Sequence, residues 1–231
     1  QWLLDLTNPK VQDFVFGVFD NTMKLSDKID YIKWDANRNA NNVGSAYLPA
    51  DEQSRFWIDY AQGFYKVMER IRAKYPDVLI QACASGGGRV EFGAMKYFNE
   101  VWTSDNTEAL SRTRIQYGTS LFYPATVMGS HVSATPNHQT GNITPIKFRF
   151  DMACAGRLGM ELQPRQMTDE ERQFARRAIA SVFYGDMLCA LRNQVAPYEN
   201  EKGAADKMVD LWVERLGRVL LAGKGLSLIH I

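Results

Sequence analysis

What this chain has little of narrows its chemistry first. It carries only three cysteines, Cys83, Cys154 and Cys189. They are odd in number and far apart, which argues against a disulfide framework and for a reducing compartment. The three histidines do not cluster with them and no spacing fits a zinc motif, so a structural metal module is not indicated. Neither sign of charge dominates: 27 basic and 26 acidic side chains leave +1, no field for nucleic acid or an anionic membrane. No stretch reaches the ~18 apolar residues of a membrane span. Internal repeats of fixed period and low-complexity segments are also missing.

What is present suits one large or two ordinary domains in 231 residues, with 45% hydrophobic side chains to build a core. Aromatics at 12% are generous, as in many sugar-binding proteins. The chain opens without methionine on Gln1-Trp2-Leu3-Leu4-Asp5-Leu6, which reads as a strand already under way. A cytoplasmic location is expected, and the missing signal peptide does not exclude export. The last six residues, Leu226 to Ile231, match the translation of a sequencing-library adapter and are expected to be a non-native tail.

Strand and helix signals alternate, the pattern of βα units on a parallel sheet. Strands are expected at Trp2–Leu6, Ile29–Asp35, Val78–Ala84, Val101–Ser104, Ala125–Met128 and Leu158–Leu162. Asn8-Pro9 opens a helix to about Lys24. Phe56, Tyr60, Phe64, Val67 and Ile71 fall at three- and four-residue steps in a helix from about Asp51 to Lys74. Further helices are expected at Val90–Phe98, Glu108–Phe122 and Thr144–Ala155. Thr168-Asp169-Glu170-Glu171 is a capping pattern for a helix to about Tyr184. Gly129–Asn142 reads as a polar loop carrying His131 and His138. The βα rhythm fades beyond Met187.

Two aspartates carry the chemistry. Asp35 closes Tyr31-Ile32-Lys33-Trp34-Asp35, and Asp105 closes Val101-Trp102-Thr103-Ser104-Asp105. A carboxylate ending a buried strand sits at the rim where catalytic groups of α/β barrels gather. Two of them on separate strands are what glycoside hydrolysis requires: one ionised, one protonated. Lys33 shares a strand face with Asp35, and a nearby ammonium favours the ionised form. Asp105 has no basic neighbour in sequence and follows Trp102, a setting that suits an acid. Taken singly, each aspartate could simply cap a loop or a helix; the pair makes that reading the weaker one.

Other residues keep two readings. Gly86-Gly87-Gly88 could bring backbone amides to a ligand or serve turn geometry and packing, and no nucleotide-binding pattern surrounds them. Without a partnered histidine, Cys83 suits the core or a substrate contact better than covalent catalysis. His131 and His138 fit hydrogen-bonding loop residues better than metal ligands. Trp34 points opposite to Lys33 and Asp35 and suits the core; Trp102 suits substrate contact.

The run Tyr31-Ile32-Lys33-Trp34-Asp35-Ala36-Asn37-Arg38 resembles the nucleophile motif of glycoside hydrolase family 36, the α-galactosidases. Cys83-Ala84-Ser85-Gly86-Gly87-Gly88-Arg89 and Trp102-Thr103-Ser104-Asp105-Asn106-Thr107 are similar to its next two motifs, in order. Met128-Gly129-Ser130-His131-Val132-Ser133, Pro136-Asn137-His138-Gln139 and Leu158-Gly159-Met160-Glu161-Leu162 extend the match. The resemblance implies a (β/α)8 barrel, incomplete here, with about strands 3–8 and their helices. Residues 1–187 would be the later part of the barrel, 188–225 its end and the start of a C-terminal region. It implies Asp35 as nucleophile and Asp105 as acid/base, with retention. The carboxyls would then stand ~5–5.5 Å apart, against ~6.5–9.5 Å for inversion. Lys33 and Asn37 would contact the galactose ring, Cys83 and Gly86 its 2-hydroxyl, and Trp102 would wall the pocket. The implied substrates are α-1,6-linked galactosides such as melibiose and raffinose, handled without a metal or other cofactor. A homotetramer is implied, and neither nucleic acid nor membrane is an implied partner. An α-N-acetylgalactosaminidase or galactosyl transferase of the same family, or a non-catalytic sugar-binding barrel, are the alternatives. Ala84 and Glu108 depart from the common serine and aspartate, and the match dissolves after Asn200.

Overall fold

The computed structural model describes residues 3–38, 40–195 and 229–230. Asn8 Oδ1 accepts from the Lys10 N–H (2.9 Å), and Pro9 takes the first position of α1 (Pro9–Met23). Strand β1 (Tyr31–Asp35) follows, then a 3-10 turn at Ala50–Arg55 and α2 (Phe56–Lys74). Helix α2 buries Phe56, Val67, Met68 and Ile71 on one face, as three- and four-residue spacing dictates. Next come β2 (Leu79–Cys83), the short α3 (Phe92–Met95) and β3 (Glu100–Trp102). Glu108 caps α4 (Ala109–Ser120), its carboxylate accepting from the amides of Leu110 (3.0 Å) and Ser111 (2.7 Å). Strand β4 (Met128–Ser133), α5 (Ile146–Ala153), β5 (Arg157–Glu161) and α6 (Asp169–Val195) complete the run. Thr168 and Glu171 form the expected capping box, each side chain paired with the other's amide at 3.2 Å. A two-residue strand, β6 (Ile229–His230), pairs along the outer edge of β1.

All strand pairings are parallel, and β1 to β5 lie side by side in chain order. Strands two places apart in a flat sheet are ~9.6 Å apart, twice the ordinary spacing. Yet Tyr31 of β1 and Arg157 of β5 both reach Glu100 of β3. The sheet is therefore curled, its helices on the convex side: part of a (β/α)8 barrel. Alternation along β1 sends Tyr31, Lys33 and Asp35 to the concave face and Ile32 and Trp34 to the helices. Ile32, Ile80 and Val101 pack there with Phe19, Val67, Met68 and Ile71. Val132, Phe150, Ala153, Met167 and Ala175 form a second cluster under β4 and β5. Each fully buried aliphatic or aromatic side chain contributes roughly 1.5–3 kcal/mol.

Some expected elements differ. Leu3–Asp5 forms no strand, and Leu6 begins a turn; Trp2 lies outside the described residues. The Asp5 carboxylate accepts from Thr7 N (3.1 Å), Thr7 Oγ1 (2.6 Å) and Ser45 Oγ (2.5 Å), local bonds that compete with a ladder. Ala125–Val127 is a 3-10 turn set by Pro124, and the strand starts at Met128, so His131 stands on a strand rather than in a loop. The helix expected over Val90–Phe98 shortens to Phe92–Met95. Helix α6 continues past Tyr184 to Val195. Most of the expected C-terminal region and tail lies outside the described residues. No described helix is long and apolar enough to cross a membrane.

Candidate active site

The carboxyl ends of β1 to β5 make one rim, and the two aspartates stand on it. Asp35 is the last residue of β1, and Asp105 lies three residues after β3. Between them β2 ends on Cys83, whose Sγ is 4.0 Å from Asp105 Oδ1. The thiol also faces Asp35 across the β1–β2 register, in which Asp35 and Cys83 are direct partners. Burial pushes the Cys83 thiol up to about 12, with Asp35 adding to the rise against the opposing pull of the Gly86 backbone and Lys33. It stays an S–H donor at any working pH, which suits contact and not nucleophilic attack. Asp35 Oδ1 is buried with no hydrogen-bond partner among the described residues.

The loop after β2 is fitted against the loop after β3. Gly86 has φ +82°, and a Cβ there would lie 2.6 Å from Ser104 Cα. Packing is thus what the structure shows for this glycine, next to the backbone that presents Asp105. Ser85 beside it also has positive φ, 51°, and its amide donates to Asn37 Oδ1 at 2.7 Å. Asn37 therefore ties the rim loop of β1 to that of β2. A cavity of about 280 Å³ reaches Asp35, but Leu3, Leu6, Phe14, Val18 and Phe19 supply much of its wall. It is a packing seam beside α1 more than a cleft shaped for a sugar.

Trp102 is 2% exposed, and its ring is fenced by charged groups. Lys33 Nζ lies 4.8 Å and the Arg112 guanidinium 4.4 Å from the ring centre, and the His131 ring stands at 4.4 Å. Arg112 donates to Asn106 O (2.6 Å), Thr103 Oγ1 (2.6 Å) and Ser104 O (2.5 Å), gripping both sides of Asp105. Burial pushes the guanidinium down to about 10, against the pull of Glu161 and Asp105, so it remains a cation. The sequence offered Asp105 no basic neighbour; one turn of α4 supplies Arg112, seven residues on. Trp34 packs against the helix-side core, with Phe19 at 6.0 Å and Phe64 at 6.3 Å. His138 is exposed on the loop after β4. Among the described residues, no three His, Cys, Asp or Glu side chains are grouped to hold a metal ion.

Residues 1–188 match the melibiase family model. The chain belongs to the melibiase family. It is 41% identical over 187 residues to α-galactosidase AgaA of Geobacillus stearothermophilus, covering 81% of this chain and 25% of that protein. It is 46% identical over 179 residues to the bifunctional α-galactosidase/sucrose kinase AgaSK of Mediterraneibacter gnavus, covering 78% and 18%. A crystal structure of an AgaA variant in complex with raffinose superposes with a TM-score of 0.75 at 39% identity, covering 78% of this chain and 25% of that one. The chain thus spans a quarter or less of the length of these relatives.

Within this member of the family, the rim holds three groups to which sequence reasoning gave no role in the site. Arg112 was hidden in a helix, and His131 in what read as a loop. Glu161, the last residue of β5, stood inside a family motif without a role. Its Oε2 is 3.7 Å from His131 Nδ1. Strand-end position was the signal that could have found it, as it found Asp35.

Proposed function

We propose that this chain carries the catalytic carboxyl pair of a retaining α-galactosidase that releases terminal α-linked galactose from raffinose-type oligosaccharides. The carrying observation is the placement of Cys83, whose thiol faces Asp35 and Asp105 together, putting both acids around one spot on the rim. Asp35 attacks the anomeric carbon through its carboxylate, and Asp105 protonates the departing glycosidic oxygen. A galactosyl–Asp35 ester forms. Asp105, now a carboxylate, takes a proton from water, whose oxygen attacks the same carbon and frees galactose with its configuration retained. Lys33, on the same strand face as Asp35, reaches a ring hydroxyl. Asn37, Cys83 and Gly86 frame the 2-hydroxyl side, and Trp102 backs Lys33 as the pocket wall.

A 2-fluoro galactosyl substrate with a good leaving group should arrest the intact protein as an ester mapped to Asp35. A label on any other residue refutes the assignment. Asp35→Asn should lose on the order of 10⁴-fold or more in kcat, the scale of removing a covalent nucleophile. Asp105→Asn should lose about 10²–10⁴-fold on raffinose. It should lose far less on a nitrophenyl galactoside, whose leaving group needs no proton. Equal losses on both substrates would take the acid role away from Asp105.

A further inference from the structure

A row of side chains crosses three strands at the rim: Trp102 of β3, His131 of β4, and Gly159 with Glu161 of β5. A Cβ on Gly159 would collide with the His131 ring, so this glycine is what lets the imidazole lie over β5. The ring then touches Trp102 on one side, at 4.4 Å between centres, and faces Glu161 on the other, at 3.7 Å. Glu161 is the third carboxylate of the rim and has no part in the double displacement.

We propose that Glu161, held against His131, is a positioning residue that balances the cations around Trp102, so that its charge sets where the alkaline limb of the pH profile falls. This rests on the reading of Asp105 as the acid. Lys33 from β1 and Arg112 from α4 flank the Trp102 ring. The acids facing them are Asp35 from β1, Asp105 from the loop after β3 and Glu161 from β5; Cys83 of β2 stays neutral. Arg157 lies lower on β5, paired with Glu100. With Asp105 protonated, as the first step demands, two cations meet two anions only if Glu161 is counted. Without it the site carries a net positive charge, a field that opposes holding a proton on the acid of the reaction. Glu161 is suited to this. Burial raises its carboxyl, but the facing His131 and the charges of Lys33 and Arg112 more than offset that and hold it below the usual carboxylate range.

The test compares Glu161→Gln and Glu161→Asp with the wild-type intact protein, following kcat/KM for raffinose against pH. Removing the charge should move the alkaline limb of the profile to lower pH by roughly 0.5–1 unit. That is the effect of a unit charge two strands, about 10 Å, away at an effective dielectric of 20–40. Glu161→Asp keeps the charge and should keep the limb where it was, even if kcat falls. A limb unmoved in Glu161→Gln, or moved equally in both variants, overturns the inference and leaves the α-galactosidase reading standing. Failure of Glu161→Gln to fold while Glu161→Asp folds would assign the residue to stability and overturn it as well. No raffinose turnover by the wild-type protein overturns both readings.

Discussion

Gly86 leaves little tolerance at the rim, because what its missing side chain would meet is backbone. Its positive φ alone makes a side chain costly there, about 1–2 kcal/mol for an L-residue in the left-handed region. The larger effect is positional. A methyl 2.6 Å from Ser104 Cα and 3.2 Å from Asp105 N must push the backbone that presents Asp105. A misplacement near 1 Å can cost about 10²-fold in rate. Gly86→Ala should therefore lower kcat by roughly 10- to 100-fold on raffinose while leaving α2 and its core intact. Far-ultraviolet circular dichroism checks the second point. A variant that melts earlier with unchanged kcat would show that the loop can yield without moving Asp105.

Among the elements, the segment from β4 to α6 depends on one buried cation. Arg149 of α5 is 2% exposed and donates to Ser133 O at the end of β4 (2.8 Å) and to Thr144 O (3.1 Å). It also pairs with Glu171 of α6 at 2.6 Å. One side chain thus pins both ends of the loop carrying Asn137, whose amide reaches Thr107 Oγ1 at 3.2 Å, two residues past Asp105. Arg149→Met should cost about 3–5 kcal/mol, because Glu171 and two carbonyls lose their partner together. The urea midpoint measures it, and a loss under about 1 kcal/mol would mean that the loop holds without this pin. None of this was legible in the sequence, where Arg149 sits in an ordinary helical run. Elements with local signals were legible: Asn8-Pro9 opened α1, three- and four-residue spacing marked α2, and Thr168 with Glu171 opened α6. Strand β4 was not, because Gly129, Ser130, His131 and Ser133 give it no apolar alternation. Gly129 is small because Gln81 of β2 and Trp102 of β3 press on it, a tertiary reason no local pattern records. The rim position of the two aspartates was legible because each follows a β-rich apolar stretch; Arg112 needed the turn of α4 to come beside the backbone around Asp105.

For the whole molecule, the question is what keeps the curled sheet together beneath the rim, since its two apolar clusters lie on the convex side. Glu100, at the start of β3, answers it from the concave side. Its Oε1 accepts from Tyr31 of β1 and from Gln81 Nε2 of β2 (2.6 Å), and its Oε2 pairs with Arg157 Nε of β5 (2.8 Å). One carboxylate, 6% exposed, therefore connects β1, β2, β3 and β5. Burial, with Glu100 beside it, holds the Tyr31 phenol well above its usual range, so it remains a donor at any working pH. The network lies at the opposite end of the strands from Asp35 and Asp105, the end of a barrel whose side chains serve stability more than chemistry. Glu100→Ala strands a tyrosine hydroxyl and a buried amide at once, and takes the ion-pair partner from the half-exposed Arg157. It should cost about 3–5 kcal/mol in urea unfolding at neutral pH, with the slope unchanged if the sheet unfolds as one unit. Glu100→Gln keeps the volume and an acceptor oxygen and should recover part of the loss, leaving mainly the missing ion pair with Arg157. If Glu100→Ala instead unfolds in two steps, the clusters under β1–β3 and under β4–β5 are separate cooperative units. The carboxylate would then be the joint between them, and raffinose turnover would fall in the first step, because Asp35 and Asp105 no longer share a rim with Glu161.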